Sequence, residues 1–213
     1  MVKAIIFDCW GTLFYNELNP QPFSLFAKKI GKDFHDYDYM TTFEKHFMLK
    51  KHLDFRVPIK SLLRELNLNP SIELIKELKS ILDSGLNHFK PYPETLEVLG
   101  ELKKRYKLCL ISNTGYLAFN QLKEHFNLDE IFDIMLPSYK TGILKPNPKI
   151  FELMIKKLKI DKNDALMIGD SLKQDIQAAE NFGIKGILID RKEKHPDYPS
   201  RITSLKELQD LNF

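Results

Sequence analysis

The chain has 213 residues, 43% hydrophobic and 29% charged. It is long enough to bury a sizeable core without staples, and too apolar for an intrinsically disordered chain. Its 32 basic and 29 acidic residues leave a formal charge of +3 with no dominant basic cluster, so nucleic acid is not an implied partner. Cys9 and Cys109 each sit inside an apolar run, which excludes a disulfide scaffold and suits a reducing cytoplasm.

The first apolar run, Ala4 to Phe7, reads as a buried strand ended by Asp8 and Gly11. It is too short for a signal peptide, and no stretch approaches the ~18 apolar residues of a membrane span. A cytoplasmic protein without membrane partners is expected. From about Tyr15 to Phe89 strand signals vanish and helical periodicity takes over. Leu62, Leu63, Leu66 and Leu68 form one cluster. Leu74, Ile75, Leu78, Ile81 and Leu82 follow at helical spacing after a Pro70-Ser71 start.

From Pro91 helices and strands alternate. Pro93 opens a helix with an expected apolar face of Leu96, Leu99 and Leu102. Leu108 to Ile111 is a strand ending at Ser112-Asn113, and Phe132 to Leu136 is a third. Asn147-Pro148 caps a helix whose buried face is Ile150, Phe151, Met154, Ile155 and Leu158. Ala165 to Ile168 is a strand ending at Gly169-Asp170. A helix then runs to about Phe182 and stops at Gly183. Gly186 to Ile189 is a last strand, and Leu205 to Leu211 a closing helix. This alternation predicts an α/β fold, a parallel sheet covered on both faces. Ligands then bind at the carboxyl ends of its strands, which directs attention to Asp8, Ser112 and Asp170.

Taken singly, the motifs there have plain structural readings. Asp8 could close a strand, Ser112-Asn113 could cap a helix, and Lys145 could be a loop lysine. Asp170 and Asp175 could be a cap and a solvated carboxylate. Taken together they supply a nucleophile (Asp8), oxyanion donors (Ser112 and the amide of Asn113), a positive charge (Lys145) and oxygen ligands for a hard cation (Asp170, Asp175). That set makes a phosphoryl-transfer centre.

Four ordered segments, Ile6-Phe7-Asp8-Cys9-Trp10-Gly11-Thr12-Leu13, Ile111-Ser112-Asn113, Lys145-Pro146-Asn147-Pro148 and Gly169-Asp170-Ser171 through Asp175, resemble the motifs of the haloacid dehalogenase superfamily. The resemblance implies a Rossmann-like three-layer core (1–14 and 90–213) with an all-helical cap (15–89). It implies that Asp8 forms a covalent aspartyl intermediate. Thr12, Ser112, Asn113 and Lys145 would bind the phosphoryl group. Asp8, Asp170 and the backbone carbonyl of Trp10 would hold Mg2+, with Asp175 in support. The partner implied is a small phosphorylated metabolite, and the chain would act as a monomer or homodimer. Hinges of the cap fall near Leu13 to Glu17 and near Phe89 to Pro93.

The chain departs from the family's phosphatases at Trp10, where they carry a second Asp that protonates the leaving oxygen and later activates water. Losing a positioned acid typically costs ~10²–10⁴ in rate. The acid must come from elsewhere, with His46 and His52 in the cap as candidates, or the leaving group must be a good one. An aromatic residue here also resembles the family's metal-independent 2-haloacid dehalogenases, which pass through an aspartyl ester. Against that reading, the chain keeps Asp170 and has no arginine before Arg56 to grip a carboxylate; Lys45 lacks the bidentate fork. A weakly active or non-catalytic relative that binds a phospho-ligand or a partner protein is a third reading. Cys9, beside the nucleophile but on the other side of the strand, reads as packing. The aromatics Phe23 to Phe26 and Phe34 to Tyr39 fit either the cap's own core or its face over the site.

Overall fold

A computed structural model describes residues 1–209. Strand β1 (Ala4–Phe7) is followed by a short β2 (Phe14–Asn16) and four helices: α1 (Pro22–Lys29), α2 (Tyr37–Met48), α3 (Arg56–Glu65) and α4 (Ile72–Ser84). Then come β3 (Phe89–Pro91), α5 (Thr95–Lys103), β4 (Lys107–Ser112), α6 (Tyr116–His125), α7 (Leu128–Ile131), β5 (Ile134–Pro137) and α8 (Ser138–Thr141). The chain goes on through α9 (Pro148–Leu158), β6 (Ala165–Gly169), a π-helical turn (Leu172–Gln177), α10 (Ala178–Phe182), β7 (Lys185–Ile189) and β8 (Arg201–Ile202). It reaches a 3₁₀ turn at Leu205–Gln209; the rest of the expected closing helix, to Leu211, lies outside the described residues.

The main sheet has the order β5-β4-β1-β6-β7-β8, with every pairing parallel. This is the parallel α/β sheet the alternation predicts and the Rossmann-like architecture the resemblance implies. β1 is central, registering Ile6 against Cys109 on one side and Met167 on the other. Period-two alternation divides its side chains between two layers. Ile5, Phe7 and Cys9 pack with Val98, Leu99 and Leu102 of α5 and Phe119 and Leu122 of α6. Ala4 and Ile6 pack with Ile150, Phe151 and Met154 of α9 and Ala178 and Ala179 of α10. Cys9 is therefore a packing residue, as its register implies.

Helices α1 to α4 bury an apolar cluster of their own, including Phe26, Tyr39, Phe43, Phe47, Leu62, Leu63, Leu78 and Leu82. Each such side chain contributes ~1.5–3 kcal/mol by leaving water, so the block has a core apart from the sheet's. Side-chain caps start two of its helices: Asp36 accepts the Tyr39 N–H (2.7 Å) and Ser71 the Leu74 N–H (3.2 Å).

Three sequence expectations are corrected. Strand does not vanish at Tyr15. The segments entering and leaving the helical block pair as an antiparallel ribbon, Phe14 opposite Pro91, Tyr15 opposite Lys90 and Asn16 opposite Phe89. Three residues on each side, 70 or more positions apart, are too few to leave a periodic signal. Leu96 is exposed while Thr95 is buried, because the helix begins at Thr95 rather than Pro93 and the Thr95 hydroxyl donates to the Leu13 carbonyl (3.0 Å). The third strand begins at Ile134, Phe132 being the residue that ends α7.

Candidate active site

The Asp8 N–H continues the β1–β6 ladder by donating to the Ile168 carbonyl at 2.9 Å. By alternation Asp8 belongs to the layer of Ala4 and Ile6, and the groups that meet it come from the segments entering α9 and α10. Lys145 Nζ donates to Asp8 Oδ1 (2.5 Å), to Asp175 Oδ1 (2.6 Å) and to the Ile111 carbonyl (3.2 Å). All three ionisable side chains are buried. Burial pushes the Asp8 carboxyl up to about 6, opposed by Lys145 and reinforced by Asp175. Burial works against the charge on Lys145, but Asp175 and Asp8 prevail and hold its ammonium above the usual lysine range.

Asp175 lies in the π-helical turn, where the Ile176 N–H reaches back to the Ser171 carbonyl (3.3 Å). Its second oxygen accepts the Ser171 N–H at 3.0 Å. A β-carbon at Gly169 would lie 2.4 Å from the Asp175 carboxyl carbon, so that position admits no side chain while Asp175 stays where it is. Asp170 opens to solvent and abuts Gly11, whose φ is +81°; a β-carbon there would lie 2.1 Å from Asp170 Oδ2. Carboxylate oxygens of Asp8, Asp170 and Asp175 come within 4.8 Å of one another. The protein packed round it, and then the charges of Asp8 and Asp175, push the Asp170 carboxyl up to about 8. Three carboxylates against one ammonium leave an excess of negative charge, and oxygen donors so spaced fit a hard divalent cation.

Thr12 is buried, with its hydroxyl 3.5 Å from Asp8 Oδ2. Ser112 Oγ is buried beside the Cys9 thiol and, among the described residues, makes no hydrogen bond of ordinary geometry. The Asn113 side chain is already engaged: Oδ1 accepts the Lys145 N–H (2.8 Å), and Nδ2 donates to the Lys145 carbonyl (3.0 Å) and to Glu44 Oε2 (3.2 Å). Trp10 donates Nε1–H to Thr114 Oγ1 (3.0 Å) and packs on Phe89, ring centres 4.9 Å apart. A cavity of about 50 Å³ lies beyond it, between Phe43, Phe47 and Leu86 of the helical block and Phe89 and Gly115.

The cap histidines named from the sequence are engaged within the block itself. His46 lies between Ser61 Oγ (2.8 Å) and Glu65 Oε2 (2.7 Å), and His52 Nε2 meets the His46 carbonyl (3.0 Å). Lys45 pairs with Glu65 (3.0 Å) and Arg56 with Asp54 (2.7 Å). The cap residue that does reach the strand ends is Glu44, which sequence reasoning missed. It is buried, and also accepts from Gln174 Nε2 at 3.4 Å. A signal was available: Met40, Phe43, Glu44, Phe47 and Met48 occupy the i, i+3, i+4, i+7, i+8 stripe of α2, with a carboxylate where an apolar residue belongs. The aromatics fall mainly in the block's core: Phe26 packs edge-on to Phe43 and Phe47, while Phe23 stacks on Phe34 and also borders the cavity.

A parallel sheet of Rossmann-like architecture, with Asp8 just past its first strand and a buried lysine and two further carboxylates beside it, places the chain in a class of hydrolases. The model of haloacid dehalogenase-like hydrolases matches residues 2–183, and the chain belongs to that family. It is 29% identical over 144 residues to a glyceraldehyde 3-phosphate phosphatase of Methanopyrus kandleri, covering 66% of this chain and 60% of that protein. It is 27% identical over 142 residues to (S)-2-haloacid dehalogenase 4A of Burkholderia cepacia, covering 64% and 61%. The matches thus span about three fifths of the length of these curated relatives. Among solved structures, a phosphatase of the family from Thermococcus onnurineus superposes with a TM-score of 0.65 at 23% identity, covering 98% of this chain and 97% of that one. No helix among the described residues is long and apolar enough to cross a membrane.

Proposed function

We propose that the chain is a magnesium-dependent phosphatase acting on a small phosphorylated metabolite through an aspartyl-phosphate on Asp8. The observation that carries this reading is the carboxylate cluster. Asp170 stands beside Asp8 and Asp175 with a single buried ammonium among them, an arrangement whose surplus charge a divalent cation offsets. Asp8, Asp170 and the Trp10 backbone carbonyl would hold Mg2+, which when bound would neutralise charge on the phosphoryl oxygens.

Asp8 Oδ attacks phosphorus, and Lys145 keeps that carboxylate oriented and ionised. Ser112 Oγ–H and the Asn113 backbone amide receive the phosphoryl oxygens. The Asn113 side chain serves instead to fix the Lys145 backbone. Asp175 orients the lysine from the other side, and Thr12 supports Asp8. The helical block, residues 15–89, acts as a cap over the site. The same relatives that include phosphatases include a dehalogenase, and Trp10, which carries no acid, favours dehalogenation as a second reading.

The experiment is hydrolysis of p-nitrophenyl phosphate with magnesium and with EDTA, by the wild type and Asp8→Asn, beside chloride release from 2-chloropropionate. Magnesium-dependent phosphate release lost in Asp8→Asn is the expected result. Chloride release that survives EDTA would overturn it in favour of the dehalogenase. Silence in both assays, and against a panel of phosphorylated metabolites, would leave the non-catalytic reading.

A further inference from the structure

Trp10 leaves the leaving group without a proton donor on the core side. An alkoxide is a poor leaving group, so a phosphatase that cleaves alkyl esters needs an acid near the departing oxygen. In an in-line displacement that oxygen departs on the side opposite Asp8. The helical block meets the core at this end of the sheet. Besides Glu44, Lys173 Nζ lies 3.6 Å from the ring centre of Tyr37 of the block, and Lys51 of the block lies 4.2 Å from that of Tyr116. A β-carbon on Gly115 would lie 3.1 Å from the Phe47 carbonyl. The block therefore seats on the loops that follow β4 and β6.

Glu44 is the carboxyl that α2 inserts between those two loops. It is 6% exposed. Both hydrogen bonds named above, from Asn113 and Gln174, go to Oε2. Asn113 neighbours Ser112 on the phosphoryl-binding loop, and Gln174 neighbours Asp175. Resting on the phosphatase reading, we propose that Glu44 is the general acid and base of the reaction, supplied by the helical block in place of the carboxylate that Trp10 displaces.

The chemistry balances. Asp8 Oδ forms a bond to phosphorus as the bond to the leaving oxygen breaks, and the Glu44 carboxyl gives its proton to that oxygen, releasing the alcohol. Water then attacks the phosphorus of the aspartyl-phosphate and gives a proton to the Glu44 carboxylate. The bond to Asp8 breaks, releasing inorganic phosphate and restoring both carboxyl groups. The electrostatics agree. Burial pushes the Glu44 carboxyl up to about 7, with Asn113, Lys145 and Gln174 opposing and Asp8 reinforcing. An acid in that range can both donate and accept near neutral pH. A permanently ionised carboxylate would instead repel the phosphoryl group.

The test is kcat/KM with magnesium for p-nitrophenyl phosphate, phenyl phosphate and an alkyl phosphate, in the wild type and Glu44→Gln. Glutamine keeps the size and accepts the same two amide donors, but carries no transferable proton. The expected loss is slight for p-nitrophenyl phosphate, whose leaving group needs no acid, and grows toward ~10²-fold or more as the leaving group worsens. kcat/KM reads only the phosphoryl-transfer step; kcat should fall for every ester, because the water step has lost its base, and a circular dichroism spectrum matching the wild type shows that the variant is folded. A loss in kcat/KM equal for every ester, or no loss, would overturn the proposal and make Glu44 a latch between block and core. If the wild type releases phosphate from none of a broad panel of esters, the phosphatase reading fails and takes this proposal with it. A wild type that turns over beside a variant with no leaving-group dependence sinks this proposal alone.

Discussion

Asn113 grips Lys145 by both backbone polar groups of the lysine, accepting its N–H at 2.8 Å and donating to its carbonyl at 3.0 Å. The ammonium that meets Asp8 is thus positioned by a residue on a different strand end, 32 positions away in sequence. Asn113→Ala is expected to let the lysine backbone drift and to lower kcat/KM by about 10²-fold, the usual cost of an ångström of misplacement. Asn113→Asp keeps one acceptor but loses the donor and sets a carboxylate against Glu44, so it should be at least as impaired. Steady-state kinetics on both variants check this.

Lys145 neutralises two buried carboxylates. Lys145→Met leaves Asp8 and Asp175 facing each other without a cation, and breaking a buried ion pair costs ~3–5 kcal/mol. The deficit should shrink as the pH falls, because the Asp8 carboxyl, already raised by burial and no longer opposed by Lys145, can then protonate. Urea midpoints of wild type and variant at pH 8 and pH 5 measure it.

Gly11 combines a positive φ with van der Waals contact to Asp170. Gly11→Ala should lose ~1–2 kcal/mol from the left-handed backbone. It should also push the Asp170 carboxylate aside. The magnesium needed for half-maximal activity should then rise about 10–100-fold, as when a ligand's support is disturbed. A magnesium titration of activity, beside a thermal melt, separates the two effects.

The Glu44 carboxyl, held near 7 in the fold against about 4.3 in an unfolded chain, has a consequence for stability. The folded state binds the proton more tightly, so this contribution is fully present below about pH 4 and is lost as pH rises through about 7. Lys145 and Asp8 are the charges that reach the group. Glu44→Gln does not titrate, so it should gain on the wild type by roughly 2–3 kcal/mol between pH 4.5 and pH 8. Paired denaturation curves across that range, without metal, test it. A gap that does not change with pH would mean the carboxyl titrates normally.

The core strands, their order of function and the residues at their ends were legible in the sequence. Ala4–Phe7, Lys107–Ser112, Ala165–Gly169 and Lys185–Ile189 each carry an apolar run, entered through an exposed lysine in two of them, because the sheet is buried on both faces. The Asn147 cap and the Gly183 stop are local backbone chemistry, readable from a few neighbouring residues. The Phe14–Asn16 ribbon was not legible, since its stability comes from a partner strand more than seventy positions away. Glu44 left a trace, as a polar residue in an apolar stripe, but one that a solvated turn of helix would also produce.

What the sequence by itself determined is the parallel sheet and the carboxylates and lysine that its strand ends carry, because strand period and turn residues act within a few positions. Tertiary structure decided three further things: that the Asn113 side chain serves Lys145, that the cap histidines bond within their own block, and that a glutamate comes down onto the strand ends. Only the last depends on how the block of helices seats on the sheet; the first two rest on contacts within the core and within the block, between residues too far apart in the chain for a local pattern to encode.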